Sequence, residues 1–332
     1  MKDVNIAILG ATGAVGREML KIIEEYNLPV GELRLLASEH SAGAVLPFRG
    51  QDITVSVARE DSFDGMDFVL GAVGGGLAKT FAPAIKAAGA IFIDNSSSFR
   101  LDSDVPLVVP EINGADAFKH NGIIANPNCS TIITMMAVAA IAKLSPITDM
   151  IACTYQAVSG AGQGGMLELD EQLEDLHAGR KPVAHVFPTQ IAKNVIPYIG
   201  SYTDNGYTTE EMKLQNEGRK ILHLPDFRCT CTCVRVPVAR SHAISATLHT
   251  KDAISLDDIR LAISAFPGVV LAEDIDGRDY PTPLDTSDQD KVYVGRIRKD
   301  LTCDNGISLW CCGDQIRKGA AANAVQILKL FL

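Results

Sequence analysis

The stretch Val4-Asn5-Ile6-Ala7-Ile8-Leu9-Gly10-Ala11-Thr12-Gly13-Ala14-Val15-Gly16 decides the fold. Val4–Leu9 is a short apolar run ending on glycine, and Arg17–Tyr26 follows with Met19, Leu20, Ile22 and Ile23 at helical spacing. That is a strand, a glycine turn and a helix. Glycines at a helix start let backbone N–H groups approach a pyrophosphate, and the helix N-terminus adds favourable partial positive charge. The spacing is G-x-x-G-x-x-G rather than G-x-G-x-x-G, so its place after the first strand carries the reading; a tight turn without a ligand is the plain alternative. Gly10, Thr12, Gly13, Ala14, Val15 and Gly16 are expected to hold a dinucleotide.

Working outward, Leu33–Ala37, Phe68–Ala72 and Ala90–Ile93 are further short apolar runs, with Lys79–Ala88 helical in composition between the last two. Alternating strands and helices predict an α/β fold with a Rossmann-type, doubly wound parallel sheet. The grammar changes near Ile151. Met150–Ala157 and Cys229–Val238 read as longer strands, Ser245–Thr250 alternates, and Gly165–Leu176, Thr209–Leu222 and Ser255–Phe266 read as helices, which predicts a second, α+β domain. Arg317–Leu332 returns to a helix with Ala320, Ala324, Ile327, Leu328 and Phe331, expected to pack on the first domain. The expected partition is residues 1–128 plus 315–332, and residues 129–314.

Bulk properties fit this plan. The 332 residues suit two domains of ~150 residues each. Apolar residues at 47% and charged residues at 21% exclude a disordered chain. Thirty Lys and Arg against forty Asp and Glu give a net charge of −10, the wrong sign for a nucleic-acid binder. The longest apolar stretch, Ile132–Ala142, is too short to span a bilayer, so no membrane partner is expected. The opening Met1-Lys2-Asp3 runs straight into a strand, unlike a cleavable signal, and points to the cytoplasm. Eight dispersed cysteines without a secretion signal are expected to be thiols.

Four further places bear on chemistry. The end of the second strand, Leu36-Ala37-Ser38-Glu39-His40-Ser41, sets the choice of dinucleotide: Ser38, His40 and Ser41 suit a 2′-phosphate and hence NADP, whereas Glu39 suits the free ribose of NAD. In Asn126-Pro127-Asn128-Cys129-Ser130-Thr131, Cys129 stands where an apolar helix begins. Unpaired N–H groups and the helix dipole stabilise a thiolate there, so Cys129 is the candidate nucleophile. Cys229, Cys231 and Cys233 invite a metal reading, but alternate strand residues sit ~7 Å apart and no CxxC pair accompanies them, so no metal is expected. Arg235 continues their face and could present its fork to an anion. His242 is a candidate acid/base partner for the cysteine, with a surface histidine as the alternative.

Together these motifs resemble aspartate-β-semialdehyde dehydrogenase. The resemblance rests on the glycine turn, Asn95-Ser96-Ser97-Ser98-Phe99-Arg100, Pro127–Thr131, Gln156-Ala157-Val158-Ser159-Gly160-Ala161-Gly162, Arg235-Val236-Pro237-Val238 with His242, Tyr280–Pro283, Val294–Arg298 and Arg317–Ala321, in order along nearly the whole chain. It implies NADP-dependent, reversible conversion of L-aspartyl 4-phosphate to L-aspartate 4-semialdehyde and phosphate, with a catalytic and dimerisation role for residues 129–314 and a homodimer or a tetramer of dimers. It also implies Cys129 as covalent catalyst, His242 as base and Gln156 as orienting residue. Arg235 would meet the α-carboxylate, Glu210 rather than Glu211 the α-ammonium, and Arg100 with Lys213 the phosphate; Asn128 and Ser159 would line the substrate, and Gly162 and Gln315 the cofactor. At i and i+3 on a helix, Glu210 and Lys213 share a face. Many bacterial relatives carry arginine near His40, so Glu39-His40 is a departure. N-acetyl-γ-glutamyl-phosphate reductase shares the chemistry, but its acetylated substrate has no ammonium for Glu210. A silent dinucleotide-binding homologue would not need Cys129, Gln156, Arg235 and His242 together, and a cysteine hydrolase would leave the glycine turn idle.

Overall fold

The computed structural model describes residues 3–332; Met1 and Lys2 of the leader reading lie outside them. The chain forms two compact units, one running to Asn128 and resuming over Ala320–Leu332, the other Cys129–Gly319.

The first unit runs β1 (Val4–Leu9), α1 (Ala14–Glu25), β2 (Val30–Ala37), β3 (Val45–Phe48), β4 (Gln51–Thr54), β5 (Ser56–Val57), β6 (Phe68–Gly71), α2 (Gly75–Ala87), β7 (Ile91–Asp94), α3 (Pro110–Asn113) and β8 (Ile123–Ala125). Its sheet has the order β5-β2-β1-β6-β7-β8 with parallel pairings, the Rossmann-type arrangement expected. The order reverses direction at β1, so the glycine turn after Leu9 opens at the switch point where such sheets bind ligands. Met19, Ile22 and Ile23 of α1 pack on Ile6, Ile8 and Leu35 of the sheet.

Several boundaries differ from the sequence reading. Helix α1 starts at Ala14 rather than Arg17, because the Arg17 N–H already closes its first turn on the Gly13 carbonyl at 2.9 Å. Helix α2 starts at Gly75 rather than Lys79. A side chain at 75 would stand 2.4 Å from the Ser98 hydroxyl, so glycine is there for packing, not to break the helix. The β3–β4 hairpin was not anticipated; its turn, Arg49-Gly50, has both φ angles positive. At the C-terminus a π-helical turn over Arg317–Ala321 precedes an α-helix over Ala322–Lys329, in place of one continuous helix. The first unit resumes at Ala320, later than Gln315, because the Gln315 amide is held within the second unit by Ser159 and Ser241. In the first unit, Asn323 donates to the Val108 carbonyl and to Asn126 Oδ1, stitching the last helix to the sheet edge.

The second unit contains α4 (Cys129–Ala142), β9 (Ile147–Gln156), α5 (Gln163–His177), α6 (Thr209–Leu222), β10 (Arg228–Arg235), β11 (His242–Thr250), α7 (Leu256–Ala265), β12 (Val269–Leu271), α8 (Pro283–Thr286), β13 (Val292–Lys299) and β14 (Gly306–Gly313). The sheet order is β10-β9-β11-β14-β13-β12, with parallel pairing of β10 to β9 and of β12 to β13 and antiparallel pairing between. This mixed sheet is the α+β unit expected. Helix α4 is apolar all round and buried from Ser130 to Ile141, the mark of a core helix. At ~1.5–3 kcal/mol for each large side chain buried, it fixes the place of its first residue, Cys129, firmly. The eight cysteines are free thiols. Cys231 and Cys233 lean together on β10, with sulfurs 3.8 Å apart. Burial pushes the Cys311 thiol up to about 12 and Cys312 well above its ordinary value, which makes that pair packing residues of β14. Among the described residues, no helix is long and apolar enough to cross a membrane.

Candidate active site

Three adjacent strands deliver three side chains to one end of the second unit's sheet. Arg235, the last residue of β10, pairs with Gln156, the last of β9; on the other side of β9, Ala243 pairs with Tyr155, which brings His242 to the same edge. His242 is the first residue of β11, paired with Gly313 of β14, and is fully buried, so the surface-histidine alternative does not hold. Cys129 Sγ lies 3.5 Å from His242 Nε2.

The other ring nitrogen is also engaged. The Ala157 N–H donates to His242 Nδ1 at 3.1 Å, while the Ala157 carbonyl accepts from Arg235 Nη1 at 2.7 Å. The backbone of one residue, through the two peptide groups that flank it, therefore orients both side chains. Because Nδ1 is an acceptor, the neutral ring carries its proton on Nε2, facing the sulfur. Burial, and then the nearby Arg235 guanidinium, push the His242 imidazole down to about 3, so the ring is neutral at ordinary pH.

The acidic side of the site comes from α6. Thr208 caps this helix and Glu211 completes the capping box, its carboxylate accepting from the Thr208 and Cys233 N–H groups. Glu211 is thus committed to structure. Glu210, buried, accepts from Gln156 Nε2 at 3.1 Å and from Lys213 Nζ at 2.7 Å, and Thr154 donates to Gln156 Oε1 at 2.9 Å. Gln315 donates to Ser159 Oγ and accepts from the Ser241 N–H. Gly162, with φ +78°, is the N-cap residue that precedes α5.

Two glycines were not among the expected site residues, and only tertiary contacts expose them. A Cβ at Gly160 would lie 2.7 Å from Arg235 Nη1 and 3.2 Å from His242 Cε1; a Cβ at Gly319 would lie 2.9 Å from Cys129 Cβ.

The remaining candidates belong to the first unit. Leu9, Gly10, Thr12, Gly13, Ser38 and Glu39 line a cavity of about 450 Å³. Gly10 has φ +91°, and a Cβ there would lie 2.5 Å from the Ala72 carbonyl oxygen, so the turn requires glycine. No side chain caps α1 at Gly13 and no acidic residue stands in its first turn. These features fit a dinucleotide pyrophosphate at the helix N-terminus. Ala14 and Val15 open α1, and His40 and Ser41 follow β2 in a turn. Arg100 is buried, donating to the Asn126 and Asn95 carbonyls at 2.9 Å each. Asn128, also buried, ends the unit.

Comparison with known proteins agrees with this architecture. The description "Semialdehyde dehydrogenase, NAD binding domain" matches residues 5–120, and "Semialdehyde dehydrogenase, dimerisation domain" matches residues 138–318. Aspartate-semialdehyde dehydrogenase of Synechocystis sp. is 46% identical over 99% of this chain and 97% of its own. The chain belongs to the aspartate-semialdehyde dehydrogenase family. The Bacillus subtilis enzyme of the same name is 44% identical over 98% of this chain and 96% of its own. Among solved structures, aspartate semialdehyde dehydrogenase II of Vibrio cholerae, complexed with ASA, superposes with a TM-score of 0.97 at 42% identity, covering 100% of this chain and 98% of that one. The family assignment makes the chain an oxidoreductase with a nucleotide-binding region and a dimerisation region.

Proposed function

We propose that this chain catalyses the reversible, NADP-dependent conversion of L-aspartyl 4-phosphate to L-aspartate 4-semialdehyde and phosphate through a thioester on Cys129, in the cytoplasm, on the route to lysine, threonine and methionine. The observation that carries this reading is the Cys129 sulfur at the start of α4, 3.5 Å from Nε2 of a buried histidine whose Nδ1 accepts from the Ala157 N–H. In the oxidative direction the Cys129 thiolate, favoured by the α4 N-terminus, forms a carbon–sulfur bond to the aldehyde and gives a thiohemiacetal. A bound NADP supplies the hydride acceptor. As the carbon–sulfur bond forms, the carbonyl electron pair moves to oxygen, so the adduct is an oxyanion. Loss of the hydride lets that oxygen re-form the carbonyl, and the carbon becomes a thioester with no proton released; phosphate then attacks it, the carbon–sulfur bond breaks, and aspartyl phosphate leaves with the thiolate restored. In the reductive direction every bond change runs backwards.

The sequence reading gave His242 the part of a base. The Ala157 N–H refines it: the neutral ring offers Nε2–H to the thiolate and then to the oxygen of the tetrahedral adducts, where a fixed donor is worth most. To accept a proton at Nε2 the ring must first give up the Ala157 hydrogen bond. Arg235 would receive the α-carboxylate, Glu210 the α-ammonium, and Arg100 and Lys213 the phosphate; Gln156, held by Thr154 and Glu210, would orient the substrate, with Asn128 and Ser159 beside it. Ser38, His40 and Ser41 would favour the 2′-phosphate, with Glu39 opposing it, so NAD is expected to serve as the slower cofactor. Gly162 and Gln315 would complete the nicotinamide side. The working form would be a homodimer or a tetramer of dimers.

A direct test is nicotinamide reduction by L-aspartate semialdehyde with and without phosphate, using each cofactor. Reduction that requires phosphate and runs faster with NADP is expected; equal rates without phosphate would contradict the acyl-phosphate product. Gly160→Ala should lower kcat/KM by about 10- to 100-fold through displacement of Arg235 and His242, with little change in Tm. Wild-type kinetics in that variant would show that neither side chain needs its present position.

A further inference from the structure

Helix α5 carries two buried polar side chains that the reaction does not use. Glu168 and Gln172, at i and i+4, are 2% and 1% exposed. A buried carboxylate needs partners, and those of Glu168 are consecutive backbone N–H groups: His185 at 2.9 Å, Val186 closer still, and Phe187 at 3.5 Å, with Gln172 Nε2 at 3.0 Å. Gln172 takes the next part of the same segment. Its Oε1 accepts from the Ile191 and Ala192 N–H groups, and its Nε2 donates to the Val183 carbonyl.

The segment so held has no helix or strand of its own between 180 and 195, so these bonds define its path. Its side chains Phe187, Ile191, Ala192 and Ile196 pack with Val158 and Leu169. It reaches Arg235 twice. The Phe187 ring lies 5.8 Å from the Arg235 guanidinium carbon, and Ile196 exchanges both backbone hydrogen bonds with Arg235, at 2.9 and 2.8 Å.

We propose that Glu168 and Gln172 are positioning residues for Arg235, and so set recognition of a substrate carboxylate by way of the 183–196 segment that they hold. The proposal rests on Arg235 being the carboxylate handle. A purely structural pair would, when altered, lower stability and change turnover of every aldehyde alike. A positioning pair changes the aldehyde that has a carboxylate and spares one that does not.

The experiment compares wild type, Glu168→Gln, Phe187→Leu and Arg235→Ala on L-aspartate semialdehyde and on β-aminopropionaldehyde, which lacks the carboxylate. Glu168→Gln turns amide hydrogens toward backbone N–H groups, and should raise KM for aspartate semialdehyde about tenfold, with kcat within about threefold and kinetics on the shorter aldehyde near wild type. Phe187→Leu, which keeps the Glu168 bonds, should shift the same ratio less and stands in if Glu168→Gln does not fold. In the Arg235→Ala background neither change should alter the ratio further, because coupled residues are not additive. If Arg235→Ala abolishes discrimination while Glu168→Gln and Phe187→Leu leave it intact, the positioning proposal is overturned. If Arg235→Ala itself leaves discrimination intact, the carboxylate assignment beneath it fails instead.

Discussion

Cys129→Ala is expected to lower kcat for phosphate-dependent oxidation of aspartate semialdehyde by at least ~10⁴-fold, in line with removal of a covalent nucleophile from a concerted site. Without the sulfur there is no tetrahedral adduct to release a hydride and no acyl group for phosphate to capture. The variant should remain folded. Alanine keeps the Cβ that Gly319 packs against, and the rest of α4 is untouched and buried. Steady-state rates in both directions, with thermal melting as the control, check this. Turnover within tenfold of wild type at an unchanged Tm would remove the thioester from the mechanism.

Arg235→Ala should cost roughly 10²- to 10³-fold in kcat/KM for aspartate semialdehyde, the consequence of about 3–4 kcal/mol lost with a buried charge-assisted contact. The guanidinium is buried and burial lowers its pKa from the ordinary arginine value, yet it is steered at both ends: Ala157 accepts from Nη1, and the Phe187 ring lies alongside. A desolvated fork of this kind repays its burial when a carboxylate completes it. With β-aminopropionaldehyde the loss should be no more than about tenfold, from the neighbouring His242 and Ala157. Equal losses on the two aldehydes would reject Arg235 as the carboxylate partner.

The readable parts of this chain are those whose signals are local. Val4–Leu9 is a strand within the limits that its apolar run predicts, and Thr209–Leu222 is a helix within the limits of its capping box and spacing. Strands whose signal is interrupted escape that reading. Val292–Lys299 carries Gly295 and Arg296, where the register shifts and Arg296 takes φ +54°, and so it lacks clean alternation. The β3–β4 hairpin contains Pro47, which demotes a strand in any sequence reading. The π turn at Arg317–Ala321 carries Gly319 close against Cys129, a residue 190 positions away in the chain, and no local pattern records that approach.

The site divides in the same way. Cys129 is legible because a cysteine before an apolar helix is a local arrangement with a physical meaning. The pairing of Arg235 with Gln156 follows from strand register, and the parity of Cys229, Cys231 and Cys233 already placed Arg235 on their face. What sequence does not contain is convergence: the Ala157 backbone that serves both His242 and Arg235, the close approach of those two side chains to Gly160, and the Glu168 carboxylate that gathers three backbone N–H groups. Each depends on residues brought together by folding.

The most direct measurement mixes the protein with L-aspartyl 4-phosphate in the absence of any reduced nicotinamide and maps the product by peptide mass spectrometry. One aspartyl group is expected on the peptide that bears Cys129, released by hydroxylamine and absent from Cys129→Ala. An unmodified Cys129 peptide from protein shown to turn over the same acyl phosphate would contradict the thioester.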